Sequence, residues 1–254
     1  MGKEIIRQQF NIQAEQFARF ELTRNKAIFQ FIFDFCKFGK NDTLLDIACG
    51  SGAFAVFCAQ KLKQVTGVDI SDELIKYAKK YAGEAQLGNI EFFCCDVEKL
   101  PFPDASFSIV SCRSALHHMV NSDCVLKEMV RCVKKGGKIC IQDMIAYEQA
   151  KVNDFFEKMD KLTDISHFQA LSSQQIRELL VANNIKIENI FETTLTHNLK
   201  EYSGHAYQSQ EKSEALKAWI REGLNNPELA EFLFCKDGNI YFKRSGMVIY
   251  GTAS

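Results

Sequence analysis

The segment Leu44-Leu45-Asp46-Ile47-Ala48-Cys49-Gly50-Ser51-Gly52-Ala53-Phe54-Ala55 sets a buried strand, a glycine turn and a helix start end to end. Few folds use that order. Gly50 and Gly52 can take backbone angles closed to other residues, and without a Cβ they let a ligand approach the main chain. The helix that follows offers unpaired N–H groups to an anionic group. Ala55 stands where the last small residue of a G-x-G-x-x-G/A turn keeps helix and strand close. The segment therefore predicts an α/β sheet that holds a nucleotide-bearing cofactor. Which cofactor it is depends on the rest of the chain.

Strand and helix alternate beyond this turn. Apolar runs predict strands at 43–47, 64–68, 90–95, 107–112 and 138–142. Helices are expected over 52–63, from a Ser71 cap, and over 122–133, where Val125, Met129 and Val133 recur at helical spacing. Lys134-Lys135-Gly136-Gly137 reads as a turn. The alternation predicts a Rossmann-like, doubly wound, mostly parallel sheet with helices on both faces. The pattern then changes. Residues 147–163 look helical, Ser172 and Gln175 fit a capping box for a helix to about Ala182, and 212–222 is helical. Strands at 185–195 and 239–252 finish the chain, the last of them antiparallel. Residues 4–35 look helical and rich in phenylalanine, including Phe10, Phe17, Phe20, Phe29 and Phe31. These phenylalanines form either a helix core or a lid over the site. We expect one domain over 1–254, with helical lid elements at about 1–40, 145–171 and 196–235.

The bulk numbers exclude several classes. A chain of 254 residues buries one sizeable core. Its net charge of −1 carries no basic bias, so a nucleic-acid partner is not expected. No apolar run approaches the roughly 20 residues of a membrane span, and the first residues lack the apolar centre of a secretion signal. The ten cysteines include no C-x-x-C and no zinc-like spacing, so no metal is expected. Cys58, Cys94, Cys95, Cys112, Cys132 and Cys140 lie in apolar runs, as buried thiols in a reducing cytoplasm would.

Three carboxylates stand at strand ends, where ligands of such sheets bind. Asp69, after the second strand, can accept both hydroxyls of a ribose, or is a turn residue. Asp96, followed by Val97, suits an adenine amino group, or is a solvated loop carboxylate. Asp46 sits just before the glycine turn. It would repel the pyrophosphate of a dinucleotide but suits an amino-acid ammonium, which opposes an NAD-dependent oxidoreductase.

These residues resemble the class I S-adenosylmethionine (SAM) dependent methyltransferases, and within them the small-molecule branch of the ubiquinone/menaquinone-biosynthesis type. Leu45 to Gly52 resembles the first motif and Val68-Asp69-Ile70-Ser71 the second. Asp96 with Leu100-Pro101-Phe102 and Phe107-Ser108-Ile109-Val110 is similar to the third and fourth strand region. Arg113-Ser114-Ala115-Leu116-His117-His118 resembles the segment after strand four. Glu128 to Gly137 resembles an E-x-x-R-V-L-K-P-G-G signature, with Lys135 for its proline. Asp164-Ile165-Ser166-His167 resembles a D-P-S-H element of one subgroup, with Ile165 for its proline. The resemblance runs over about 10–195. It implies that SAM is the cofactor and S-adenosylhomocysteine the product. Gly50 and Gly52 would line the methionine part, Asp69 the ribose and Asp96 the adenine, with Ala48, Ile70 and Val97 beside them. Asp46 would order the glycine loop or meet the ammonium through water. Arg113 would leave strand four beside the sulfonium, or else be a surface or salt-bridge arginine.

Methyl transfer by in-line displacement asks the protein mainly to align acceptor, methyl and sulfur and to exclude water. A base is needed only where the acceptor must lose a proton. His117 and His167 are the candidates, with Asp143 and Asp164 as partners, because histidine titrates near neutrality. The plainer alternatives are that His117 packs on the sheet, that Asp143 is a turn residue and that His167 structures the lid. The expected partner is a small-molecule acceptor, apolar or planar if the phenylalanines face the site. A non-catalytic SAM-binding sensor or partner subunit is the alternative from another class.

Overall fold

The computed structural model describes residues 2–20, 24–204, 206 and 209–253. Residues 21–23 of the expected N-terminal helical region, and 205, 207 and 208 of the expected lid, lie outside the described residues. The N-terminal region is two helices, α1 (Lys3–Arg19) and α2 (Lys26–Phe35), rather than one run. Asn25 starts α2 because its side chain accepts from the N–H groups of Ala27 and Ile28.

The alternating half follows the expected order: β1 (Thr43–Ile47), α3 (Ala53–Ala59), β2 (Gln64–Asp69), α4 (Asp72–Glu84), β3 (Ile90–Cys94), β4 (Phe107–Arg113), α5 (Ser122–Cys132) and β5 (Val133–Met144). The Ser71 hydroxyl caps α4 by accepting from Leu74 N. The remainder is α6 (Ala150–Thr163), α7 (Ser173–Ala182), β6 (Ile185–Asn198), α8 (Leu199–Ser203), α9 (Gln210–Leu224), β7 (Leu233–Lys236) and β8 (Asn239–Ala253). The capping box at Ser172 and Gln175 opens α7, with both reciprocal bonds formed.

The sheet runs β3-β2-β1-β4-β5-β8-β6, with β7 paired to β8. Strands β1 to β5 are parallel, and β8 is antiparallel to β5, β6 and β7. Alternation along the strands gives the sheet two apolar faces. Leu44, Val65 and Ile109 pack under α2, α3 and α4 with Phe29, Phe54 and Ile75. Leu45, Ile47 and Val110 pack on the other face, with Val125 and Met129 of α5 and Ile176 and Leu180 of α7. A third cluster, from Phe155 and Phe156 of α6, Leu216 and Ile220 of α9, and Phe242 of β8, is separate from both.

Three expectations are corrected. Lys134–Gly137 is not a turn between elements but part of β5. Phe107 pairs with Val133 and Ile109 with Lys138, so a bulge absorbs the extra residues of β5 and the strand resumes in register. Helix α6 begins at Ala150, three residues later than the apolar pattern suggests, because Tyr147 is drawn into the third cluster. Strand β7 was not anticipated. It is half of a hairpin closed by Asp237 and Gly238, both at positive φ (49° and 74°). Cys94 also departs from the buried-thiol expectation. It is exposed, because β3 is an edge strand of the sheet.

Candidate functional site

A cavity of about 620 Å³ opens at the carboxyl ends of β1 to β5. Its walls also include α1, α2, β6 and β8. The glycine loop forms its floor. Ala48, Gly50 and Gly52 all have positive φ (50°, 56° and 76°). At Gly50 a Cβ would lie 2.9 Å from the ring of Phe17, and at Gly52 2.8 Å from Cβ of Ala78. The loop therefore needs glycine for its turn and for the close approach of α1 and α4.

Asp69 holds this loop. Its Oδ2 accepts from Gly50 N at 2.8 Å and its Oδ1 from Ser71 N at 2.9 Å. Burial pushes its pKa up, and these backbone donors oppose that shift. The expectation that Asp46 orders the loop is corrected. Asp46 instead accepts from the Ser111 hydroxyl at 2.7 Å, its cross-strand neighbour on β4. Burial raises its pKa to about 6, with Ser111 and Arg113 pulling the other way. Asp96 accepts from Lys3 Nζ of α1 at 2.7 Å and from Glu98 N at 2.9 Å. Its side chain is still 39% exposed toward the cavity mouth. Ile70 and Val97 flank these carboxylates in the same wall. Arg113 is not a surface arginine. Its guanidinium lies 5.0 Å from the ring of Phe29 and 6.0 Å from that of Phe54, and desolvation there lowers its pKa.

A second constellation stands between β4 and β5. Asp143 Oδ1 accepts from His117 Nδ1 at 2.5 Å, and Oδ2 accepts from Ala115 N at 3.1 Å and Leu116 N at 2.6 Å. The carboxylate thus fixes the proton on Nδ1 and leaves Nε2 as the basic nitrogen. Burial works against charge on His117, but Asp143, by charge and by hydrogen bond, raises its pKa overall. Burial works against charge on Asp143 too, and His117 holds it below the usual carboxylate range. His118 is different. Its Nδ1 donates to Ser166 O at 3.0 Å, and burial with the adjacent His117 pushes its pKa down to about 3.

The D-x-S-H element ties these parts together. Asp164 accepts from Ser166 Oγ at 2.6 Å and from Gln13 Nε2 of α1 at 3.1 Å. Phe10 of α1 meets the His118 ring edge-on at 5.0 Å. His167 is placed outside the cavity wall, with Nε2 3.1 Å from Glu157 of α6. Of the two candidate bases, only His117 lines the cavity.

Residues 45–141 match a protein family described as a methyltransferase domain. The chain is 31% identical over 147 residues to the uncharacterized methyltransferase YcgJ of Bacillus subtilis (strain 168), a stretch that is 58% of each chain. A demethylmenaquinone methyltransferase of Listeria welshimeri is 33% identical over 107 residues, 41% of this chain and 45% of that one. These sequence matches span only about half the length of the curated relatives. Among solved structures, YcgJ superposes with a TM-score of 0.83 at 22% identity, covering 90% of this chain and 99% of that one. A geranyl diphosphate C-methyltransferase from Streptomyces coelicolor A3(2), solved with Mg2+, geranyl diphosphate and S-adenosyl-L-homocysteine, gives a TM-score of 0.62 at 16% identity. It covers 90% of this chain and 78% of its own. Both likenesses are of fold.

The cavity also has residues that the sequence does not single out. Arg244 of β8 is 4% exposed and paired with Asp160 of α6. Tyr202 donates to Asp160 at 3.4 Å, and His197 of β6 lines the same wall. One signal was available. Arg244 falls in the buried period of an apolar strand, two residues after Phe242, where a charge is costly unless paired. Nothing local marks Asp160 or Tyr202.

Proposed function

We propose that this protein is a SAM-dependent methyltransferase that moves a methyl group to a small-molecule acceptor, with His117 as the base and Asp143 as its positioning residue. One observation carries the reading: the glycine loop, Asp69, Asp96 and the His117–Asp143 pair share a single cavity. The residues present fit the cofactor. Gly50 lines the cavity with no side chain to obstruct it, and Asp69, held by the backbone N–H groups of Gly50 and Ser71, keeps accepting capacity for a ribose hydroxyl. Asp46, buried with its pKa at about 6, is suited to an ammonium. The relative named for demethylmenaquinone supports a small acceptor.

When bound, SAM supplies a methyl already activated on a cationic sulfur. The chain's own residues do the rest. Gly50, Gly52, Asp69 and Asp96 orient the cofactor. His117 takes the acceptor's proton at Nε2 while Asp143 steadies the imidazolium through Nδ1. Phe10 and Phe17 of α1 exclude water from the cavity. Orientation of this kind supplies roughly 7–11 kcal/mol in favourable cases. His167 acts through Glu157 to hold the lid rather than touching the acceptor. We read 1–254 as one domain whose elements at 1–40, 145–171 and 196–235 close over the site. Phe10, Asp164 and Tyr202 of those elements all line the cavity, which supports that division.

The test is thermal denaturation with SAM and S-adenosylhomocysteine. At a hundred times Kd the native state gains about 2.7 kcal/mol. Asp69→Ala should lose most of the shift. No shift with either compound sinks the proposal. A shift without transfer of labelled methyl across acceptor pools would favour the sensor reading instead.

A further inference from the structure

Lys3 stands in the first turn of α1, where the positive end of the helix dipole disfavours a cation. Local preference does not account for that lysine, but its tertiary contacts do. Nζ donates to Asp96 Oδ2 at 2.7 Å and lies 2.7 Å from Glu98 Oε2. Burial works against the charge, but the two carboxylates raise its pKa overall, so the group is held as an ammonium. An ammonium has three N–H donors, and these two bonds leave one for a further partner. The side chain is 42% exposed and lines the cavity with Asp96, Val97 and Glu98. Helix α1 is pinned so as to put it there. Asn11 donates to Asp72 at 2.9 Å and accepts from the Ser71 hydroxyl at 2.6 Å, both at the start of α4. Gln13 donates to Asp164, and Phe17 packs against Gly50. Ser71 follows β2 and Asp96 follows β3, so α1 crosses the carboxyl ends of adjacent strands. Lys3, like all of α1, lies outside the residues 45–141 that match the family.

Resting on the methyltransferase reading, we propose that Lys3 is a specificity-determining residue for the cofactor, donating to one of the two ring nitrogens that flank the adenine amino group while Asp96 accepts from the amino group itself. Adenine presents an amino donor beside a ring-nitrogen acceptor, and an acceptor and a donor held side by side read that edge, as a single asparagine amide does. Asp96 Oδ2 and Lys3 Nζ, 2.7 Å apart, are such a pair, assembled from segments 93 residues apart. Glu98 has a separate part. It holds another N–H of Lys3, so the ammonium stays in place when Asp96 turns accepting capacity to the adenine. Recognition of the base therefore depends on α1 lying closed across the strand ends.

The experiment titrates the full chain calorimetrically with S-adenosylhomocysteine and with its 7-deaza and 1-deaza analogues. Each analogue keeps the amino group and replaces one flanking ring nitrogen with C–H. Binding of S-adenosylhomocysteine to the native protein is read first, so failure of cofactor binding is distinguishable from failure of this proposal. At least one analogue should bind the native protein about three- to tenfold more weakly than S-adenosylhomocysteine, the loss of one exposed charge-assisted bond. Lys3→Met should bind S-adenosylhomocysteine more weakly by the same factor and bind that analogue as the native protein does, so the preference disappears. The half-exposed side chain lies in a terminal turn, and thermal denaturation without ligand should find the variant folded. Equal binding of all three ligands by the native protein, preferences that survive unchanged in Lys3→Met, or an equal loss for all three ligands in that variant would each overturn the proposal. The last result would make Lys3 a strut for α1 and nothing more.

Discussion

Asp143→Asn isolates the carboxylate that organises the centre of the site. Asp143 accepts on both oxygens: His117 Nδ1 at 2.5 Å and Met144 N at 2.7 Å on one, Leu116 N at 2.6 Å and Ala115 N at 3.1 Å on the other. Asparagine has only one accepting oxygen. Whichever way the amide turns, two buried donors meet an NH2 group instead of an oxygen. Two charge-assisted bonds at about 1.5 kcal/mol each, the low end for such bonds, give a loss of about 3 kcal/mol. Urea denaturation at pH 6 measures it. The pH dependence gives a second readout. His117 has a folded pKa raised above its unfolded value of about 6.5, so its share of the stability is full below that pH and is lost as pH rises through the folded pKa. Asp143 has a depressed folded pKa, so its share is full above about 3.9 and is lost as pH falls through the folded value. The deficit of the variant should therefore be widest between about pH 4 and pH 6.5 and shrink on either side. The His117 ring resonances should titrate at lower pH in the variant. A loss under about 1 kcal/mol, with His117 titrating where it does in the native protein, would refute the pairing as the source of both effects.

Gly52→Ala should destabilise the fold by about 1–3 kcal/mol in urea denaturation, since φ is +76° and the new Cβ would meet Ala78 Cβ at 2.8 Å. On the proposed function the same variant should weaken SAM in calorimetric titration, because the glycine loop lines the cavity floor. Asp46→Asn should stabilise the ligand-free protein above pH 6 by on the order of 2–3 kcal/mol. The folded state holds Asp46 at about pKa 6, so ionisation costs stability as pH rises from about 4 through 6, and the variant is spared that loss. Thermal denaturation from pH 4 to pH 8 should show the two proteins diverging upward, and parallel curves would contradict the burial of that charge.

Much of the fold was legible because its determinants are local. The Ser71 cap, the Ser172–Gln175 box and the alternation of apolar residues act over one turn of helix or one strand, so neighbours in sequence suffice to see them. The Asp237-Gly238 hairpin rests on the same class of local signal. The bulge in β5 did not belong to it. Gly136-Gly137 looks like a turn until β4 lies alongside and pulls Lys138 back into register.

The cavity divides in the same way. The sequence alone determined that a glycine turn would face a set of strand-end carboxylates, because strand, turn and helix follow one another and the sheet's handedness does the rest. It also marked His117 and Asp143, which leave the adjacent ends of β4 and β5. Only the tertiary structure decided which donor each carboxylate took, giving the glycine loop to Asp69 and Ser111 to Asp46. Only it put His167 on Glu157 outside the cavity and brought Arg244 to Asp160 across 84 residues of chain. Such pairings depend on strand register and on where distant helices return to the sheet. No local propensity marks a partner that far along the chain, so its identity appears only when the chain is folded.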